Sequence, residues 1–115
     1  MRLMLVRAPA RHTVESEVPP AVEAENQSYP PLALLSLASY IKECTSHQVA
    51  ILDAQLHNYS YEELQQKIDE WKPDVVGITV YTVGLVDCHR TIQIARKLDC
   101  VKYIVLGGPH INDFP

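Results

Sequence analysis

Four short apolar runs alternate with three helix-periodic segments, and this order constrains the fold more than any other feature of the chain. The runs are Leu3-Met4-Leu5-Val6, Val49-Ala50-Ile51-Leu52, Val75-Val76-Gly77-Ile78-Thr79-Val80 and Tyr103-Ile104-Val105-Leu106. Each reads as a strand, and the first, continuously apolar rather than alternating with polar residues, as a strand buried on both faces. Helical spacing joins Leu34, Leu37, Ala38 and Ile41, then Tyr61, Leu64, Ile68 and Trp71, then Leu85, Cys88, Ile92, Ala95 and Leu98. A β-α-β-α-β-α-β order needs crossover connections, which are right-handed in a parallel sheet. The expectation is an α/β, doubly wound (Rossmann-like or flavodoxin-like) parallel sheet of order 2-1-3-4, with helices on both faces.

Local signals sharpen the middle of the chain. Ser60 and Glu63 form an S-x-x-E capping box, in which each side chain satisfies an unpaired backbone N–H at the helix start. Pro73 ends that helix, because the residue before proline resists helical geometry. The connection from Ala8 to Pro31 is long for this fold class, rich in Pro and Glu, and without period. It buries too little apolar surface to order itself, so a mobile or irregular segment is expected, closing over a ligand or a partner domain. The last residues, Asn112-Asp113-Phe114-Pro115, follow the fourth strand closely. A domain of this class normally continues with another helix and strand. Residues 1–115 are therefore expected to be one domain, truncated at its C-terminus.

Charge and cysteine usage exclude several function classes. The formal charge of −4 gives no attraction to nucleic-acid phosphates or anionic lipid, so neither is expected as a partner. No apolar run approaches the roughly 20 residues that cross a bilayer. The N-terminal apolar stretch is cut by Arg7 and Pro9, which argues against a signal peptide and for a cytoplasmic protein. Cys44, Cys88 and Cys100 are odd in number and widely spaced, so neither a disulfide framework nor a metal knuckle is expected. They should be reduced and packed as small hydrophobes, with Cys88 on the apolar face of a helix.

In open α/β sheets, ligands bind beyond the carboxyl ends of the strands, where the strand order reverses. That places interest on Arg7 to His12, Thr79 to Thr82 and Gly107 to His110. Arg7-Ala8-Pro9-Ala10 carries no glycine, which rules against a dinucleotide G-x-G-x-x-G turn and a flavodoxin phosphate loop. There is no GK[ST] loop. Arg7 and Thr79 stand where a phospho-accepting receiver would need acids.

The chain does resemble a known family. Tyr29-Pro30-Pro31-Leu32-Ala33-Leu34-Leu35-Ser36-Leu37-Ala38-Ser39-Tyr40-Ile41 is similar to the stretch that opens the first helix of cobalamin-binding radical-SAM proteins, with Ala33 in place of the usual glycine. Val49 to Ala54 resembles the strand ending in aspartate that follows. Pro73-Asp74-Val75-Val76-Gly77-Ile78-Thr79 resembles the family's P-D-x-V-G-I-S/T strand, and Ile104 to His110 its V-x-G-G-P-H strand and turn. The four matches fall in the family's order and cover most of the chain.

The resemblance implies a cobalamin-binding module of the type found in anaerobic magnesium-protoporphyrin monomethyl ester oxidative cyclases and cobalamin-dependent methylases. It implies cobalamin as cofactor, with the nucleotide tail and corrin edge meeting Thr79, Val80 and Tyr81, then Gly107, Gly108, Pro109 and His110, with Pro9 after the first strand. It also implies a downstream radical-SAM domain with a 4Fe-4S cluster and S-adenosylmethionine, acting on a small-molecule substrate. The three cysteines lack the C-x-x-x-C-x-x-C spacing such a cluster needs, so no catalytic residue is assigned here. The D-x-H-x-x-G that carries a cobalt-binding histidine in methyltransferase-type domains is absent. His12 is the one histidine of the first connection, and Ala10 and Glu15 stand where Asp and Gly would be. No protein metal ligand is therefore expected.

Each residue also has a plainer role. Gly107-Gly108 suits a sharp turn, Thr79 an ordinary strand end, and Tyr81 packing under a loop. His12, His57 and His110 suit solvated loops, and Asp53 suits a strand terminator that bonds nearby backbone N–H groups. Glu15, Glu17, Glu23 and Glu25 suit a solvated loop. Two further functions stay open: a structural or substrate-gating module that no longer binds corrin, and a small flavin- or nucleotide-binding domain.

Overall fold

A computed structural model describes residues 1–10, 31–81, 84–108 and 110–111. The elements follow as β1 (Arg2–Arg7), α1 (Leu32–Cys44), β2 (Gln48–Asp53), α2 (Tyr61–Trp71), β3 (Val75–Thr79), α3 (Leu85–Arg96) and β4 (Tyr103–Gly107). The four strands form one sheet of order β2-β1-β3-β4. Every pair is parallel: Leu5 stands opposite Ile51 and Gly77, and Gly77 opposite Val105. The expected α/β architecture and strand order are those of the structure, with β3 ending at Thr79 so that Val80 begins the loop.

Strand parity divides the core between two faces. Met4, Val6, Leu52, Val76 and Ile78 point to one face, where they pack with Leu64 and Ile68 of α2 and Cys88 and Ala95 of α3. On the other face α1 packs against β2 and β1, burying Leu34. The capping box at Ser60 and Glu63 is present with both of its hydrogen bonds. The helix it starts ends at Trp71, with Lys72 in the left-handed region just before buried Pro73.

Three packing expectations need correction. Leu37 falls by period on the buried stripe of its helix but is 47% exposed, because it borders open space between α1 and the sheet. Leu85 is exposed because it sits in the first turn of α3, at the rim above the sheet. Cys44 is exposed at the end of α1, whereas Cys88 is buried as expected. The Pro- and Glu-rich connection lies, except for Ala8, Pro9, Ala10 and Pro31, outside the described residues, and with it His12, Glu15, Glu17, Glu23 and Glu25.

Candidate cofactor-binding site

The order β2-β1-β3-β4 makes β1 and β3 neighbours whose following helices leave to opposite faces. This is the switch point at which an α/β sheet opens a crevice at its carboxyl edge. Two cavities meet there, and Thr79 lines both.

The first is a cavity of about 250 Å³ above the strand ends, on the α3 side. Arg7, Pro9, Gln55, Thr79, Tyr81 and Cys88 face it. Pro9 is fully buried and forms part of its wall, while Tyr81 is 44% exposed at its rim. The Cys88 thiol donates to the Thr79 carbonyl at 3.5 Å, and burial pushes its pKa up, so it stays a neutral thiol.

The second is a groove of about 270 Å³ between α1 and the opposite face of the sheet. Its mouth is Thr79, Gly107 and Gly108, and it runs along β3 as far as Val75. Four residues of strand make that roughly 13 Å of length along the sheet. The described lining is apolar apart from the Thr79 hydroxyl: Leu3, Leu5, Ala33, Leu34, Leu37 and Ile41 supply most of it.

The two glycines of the fourth-strand turn do different things. A Cβ on Gly107 would meet nothing within 4 Å, so its missing side chain leaves the groove mouth open. Gly108 has φ +97°, and a Cβ there would lie 2.7 Å from Thr79 Oγ1 and 2.9 Å from the Val80 nitrogen. It lets the turn close against the end of β3, where the Val80 N–H donates to the Gly107 carbonyl at 2.7 Å and the His110 N–H to the Val80 carbonyl at 3.1 Å. Gly107 is thus the open position and Gly108 the turn-former, a division that the pair of letters alone does not reveal.

The remaining assigned residues divide by direction. Thr79, Tyr81 and Pro9 converge on the cavity above the strand ends, and Thr79, Gly107 and Gly108 on the groove. Val80 is 2% exposed, with its side chain in the core beneath, so it offers the site only backbone. His110 is half-buried and turns back onto β3 through its N–H. Pro109 lies outside the described residues. His57 is exposed and stacks on Tyr59, a surface-loop position.

Sequence reasoning missed two features. Arg7 and Asp53, in register at the ends of β1 and β2, form a bidentate ion pair with contacts of 2.7 and 2.6 Å. The same carboxylate accepts the Leu56 N–H at 3.0 Å, so it also closes the β2–α2 turn as expected. This nearly buried pair ties the ends of β1 and β2 together, two residues before Pro9. The second is Gly77, in mid-strand on the groove floor. The signal was available, since glycine inside a central strand often marks a close approach.

Residues 21–115 match the B12 binding domain family. The chain belongs to that family. The B12-binding domain is 30% identical over its whole length to an uncharacterized methyltransferase of Pyrococcus horikoshii, and covers 23% of that protein. Over 83 residues, 72% of the domain, it is 35% identical to the anaerobic magnesium-protoporphyrin IX monomethyl ester cyclase of Rubrivivax gelatinosus, covering 15% of it. Across the same share it is 29% identical to the cyclase of that name from Cereibacter sphaeroides. The chain thus spans less than a quarter of the length of these relatives. No solved structure matches it. No helix among the described residues is long and apolar enough to cross a membrane, and no cluster of His, Cys, Asp or Glu among them is arranged to hold a metal ion.

The groove is apolar, open at Gly107 and bare at Gly77, and it adjoins the cavity at Thr79 and Tyr81, so the two together leave room for a bulky, largely apolar ligand.

Proposed function

We propose that this domain binds cobalamin, with the nucleotide tail in the groove beneath α1 and the corrin over the strand ends, as the cofactor module of a larger cytoplasmic radical-SAM enzyme. The observation that carries the reading is the groove itself, apolar, running the length of β3 and open at Gly107. The radical-SAM domain is proposed downstream, holding the 4Fe-4S cluster and S-adenosylmethionine; the names of the relatives, a methyltransferase and two cyclases, support methylation or oxidative cyclisation of a small molecule.

When bound, cobalamin supplies a cobalt centre for one-carbon or radical chemistry. The chain's own residues hold and orient it. Leu5, Leu34 and Leu37 remove water from the tail, and the Thr79 hydroxyl at the groove mouth offers a hydrogen bond where the tail becomes polar. The Arg7–Asp53 pair would hold the ends of β1 and β2 together beside the bound cofactor. No residue of this chain would be assigned to hold the cobalt, since the sequence lacks a D-x-H-x-x-G.

Titration of the full-length protein with cobalamin, followed by its visible spectrum, tests this. Wild type should bind. Gly107→Val should lose binding by about tenfold or more while keeping its circular dichroism, because valine fills the mouth. His12→Ala should leave affinity unchanged. A folded wild type that binds no cobalamin would sink the proposal and leave the structural-module reading in its place.

A further inference from the structure

Resting on the cobalamin reading, we propose that the groove selects among corrinoids by the chemistry of the lower base, favouring an apolar benzimidazole over a purine, and that Gly77 provides the space in which that base is seated. The groove floor is a bare stretch of sheet. Gly77 occupies the centre of β3, which is paired on both sides, with Leu5 on β1 and Val105 on β4 in register with it. Glycine in such a place is costly, because it adds backbone entropy to the unfolded chain and packs nothing. What it leaves is space: a Cβ there would come 3.0 Å from Leu5 Cδ2, on the side where the groove lies. Its backbone has no positive φ, so an alanine meets only the mobile tip of a leucine, which can shift into the groove and shallow it.

The walls decide what chemistry the space accepts. Below Thr79 the described lining offers no polar side chain, and the N–H and C=O groups of β3 are engaged with β1 and β4. A base seated there gives up its hydrogen bonds to water. For a methylated benzimidazole that loss is slight. For adenine, an exocyclic amine and ring nitrogens are left without partners, and such an unpaired buried group is expensive. The discrimination therefore comes from rejecting the polar base rather than from any contact made only with the apolar one.

Isothermal titration of the full-length protein with three probes tests this: cobalamin, its adenine-based analogue, and cobinamide, which lacks the nucleotide tail. Cobalamin should bind about tenfold or more tightly than the adenine analogue. Gly77→Ala should weaken cobalamin by a similar factor and leave cobinamide unchanged, a split that general loosening of the fold would not produce. Equal affinity for cobalamin and the adenine analogue overturns the selectivity while leaving cobalamin binding in place. An equal loss for cobinamide, or no loss at all, overturns the role of Gly77. Should Gly77→Ala fail to fold, the wild-type comparison of the two bases still decides the selectivity. Failure of all three probes to bind overturns the cobalamin reading and the inference with it.

Discussion

The two faces of the sheet are built from alternate residues of the same four strands, and around β3 they differ in how closely they are packed. On the α2–α3 face, Met4, Val6, Val76 and Ile78 are at most 4% exposed and interlock with Leu64 and Ile68, which are fully buried. On the α1 face, Val105 is 57% exposed and Leu37 47%, and the floor between them carries Gly77 and Gly107 where branched residues would otherwise pack. One face spends its side chains on density. The other withholds them and keeps a groove. Stability and ligand affinity should therefore be separable by face: substitutions on the first should change folding and spare binding, and those on the second the reverse.

The largest expected effect falls on the closed face. Ile68 is 0% exposed in the middle of the α2 contact. Ile68→Ala should destabilise the domain by about 2–5 kcal/mol, since the surrounding core relaxes only partly around the lost atoms. Under conditions where the variant is still folded, its cobalamin affinity should equal that of wild type. A chemical-denaturation series with cobalamin titration beside it measures both. Unchanged stability, or affinity lost from a folded variant, would break the division between faces.

The neighbouring glycines of the β4 turn sharpen the comparison within two residues. Gly108→Val places a branched side chain at φ +97° with backbone within 3.0 Å, so it should cost about 2 kcal/mol or more of stability. Gly107→Val points into open space and should leave the denaturation midpoint almost unmoved. A bulky residue at Gly108 is thus a poor probe of ligand approach, because it disturbs the turn before it meets any ligand. If the two variants lost equal stability, the assignment of one glycine to the fold and the other to the groove would fail.

Much of this was legible in the sequence. Alternating apolar runs and helical stripes specify a parallel sheet because parallel neighbours need crossover helices between them, and the capping box at Ser60 marks one helix start within a residue. The switch-point rule points to Thr79, Tyr81 and Gly107, which line the cavities at the carboxyl edge of the sheet. What escaped depends on register. Arg7 and Asp53 are 46 positions apart, and only the pairing of β1 with β2 sets their side chains together. Leu37 looked like a core residue because helical period reports which residues share a stripe, not whether anything covers it. Gly77 was read as one letter of a strand pattern, although its place opposite Leu5 and Val105 is what makes it the floor of a groove.

The smallest effect is confined to alkaline pH and again belongs to the closed face. At the contact between α2 and α3, the Tyr61 hydroxyl donates to buried Asp87, and the Arg90 guanidinium stands over the ring. Burial first, and then the bond to Asp87 and its negative charge, push the phenol up to about 12 from 10.0. The folded state holds this proton more tightly than the unfolded chain does, so the contribution is fully present below pH 10 and is lost as pH rises toward 12. Burial of Cys88 acts in the same direction from its ordinary value of 9.0. None of the described groove-lining side chains titrates, so the loss should arise from the α2–α3 face alone. Denaturation midpoints should be level from pH 7 to 9 and fall beyond it. Tyr61→Phe should flatten the fall between pH 10 and 12 and leave the earlier part, which belongs to the thiol. A midpoint that rises through this window, or a slope that Tyr61→Phe does not change, would show that the α2–α3 contact does not hold the proton on the phenol.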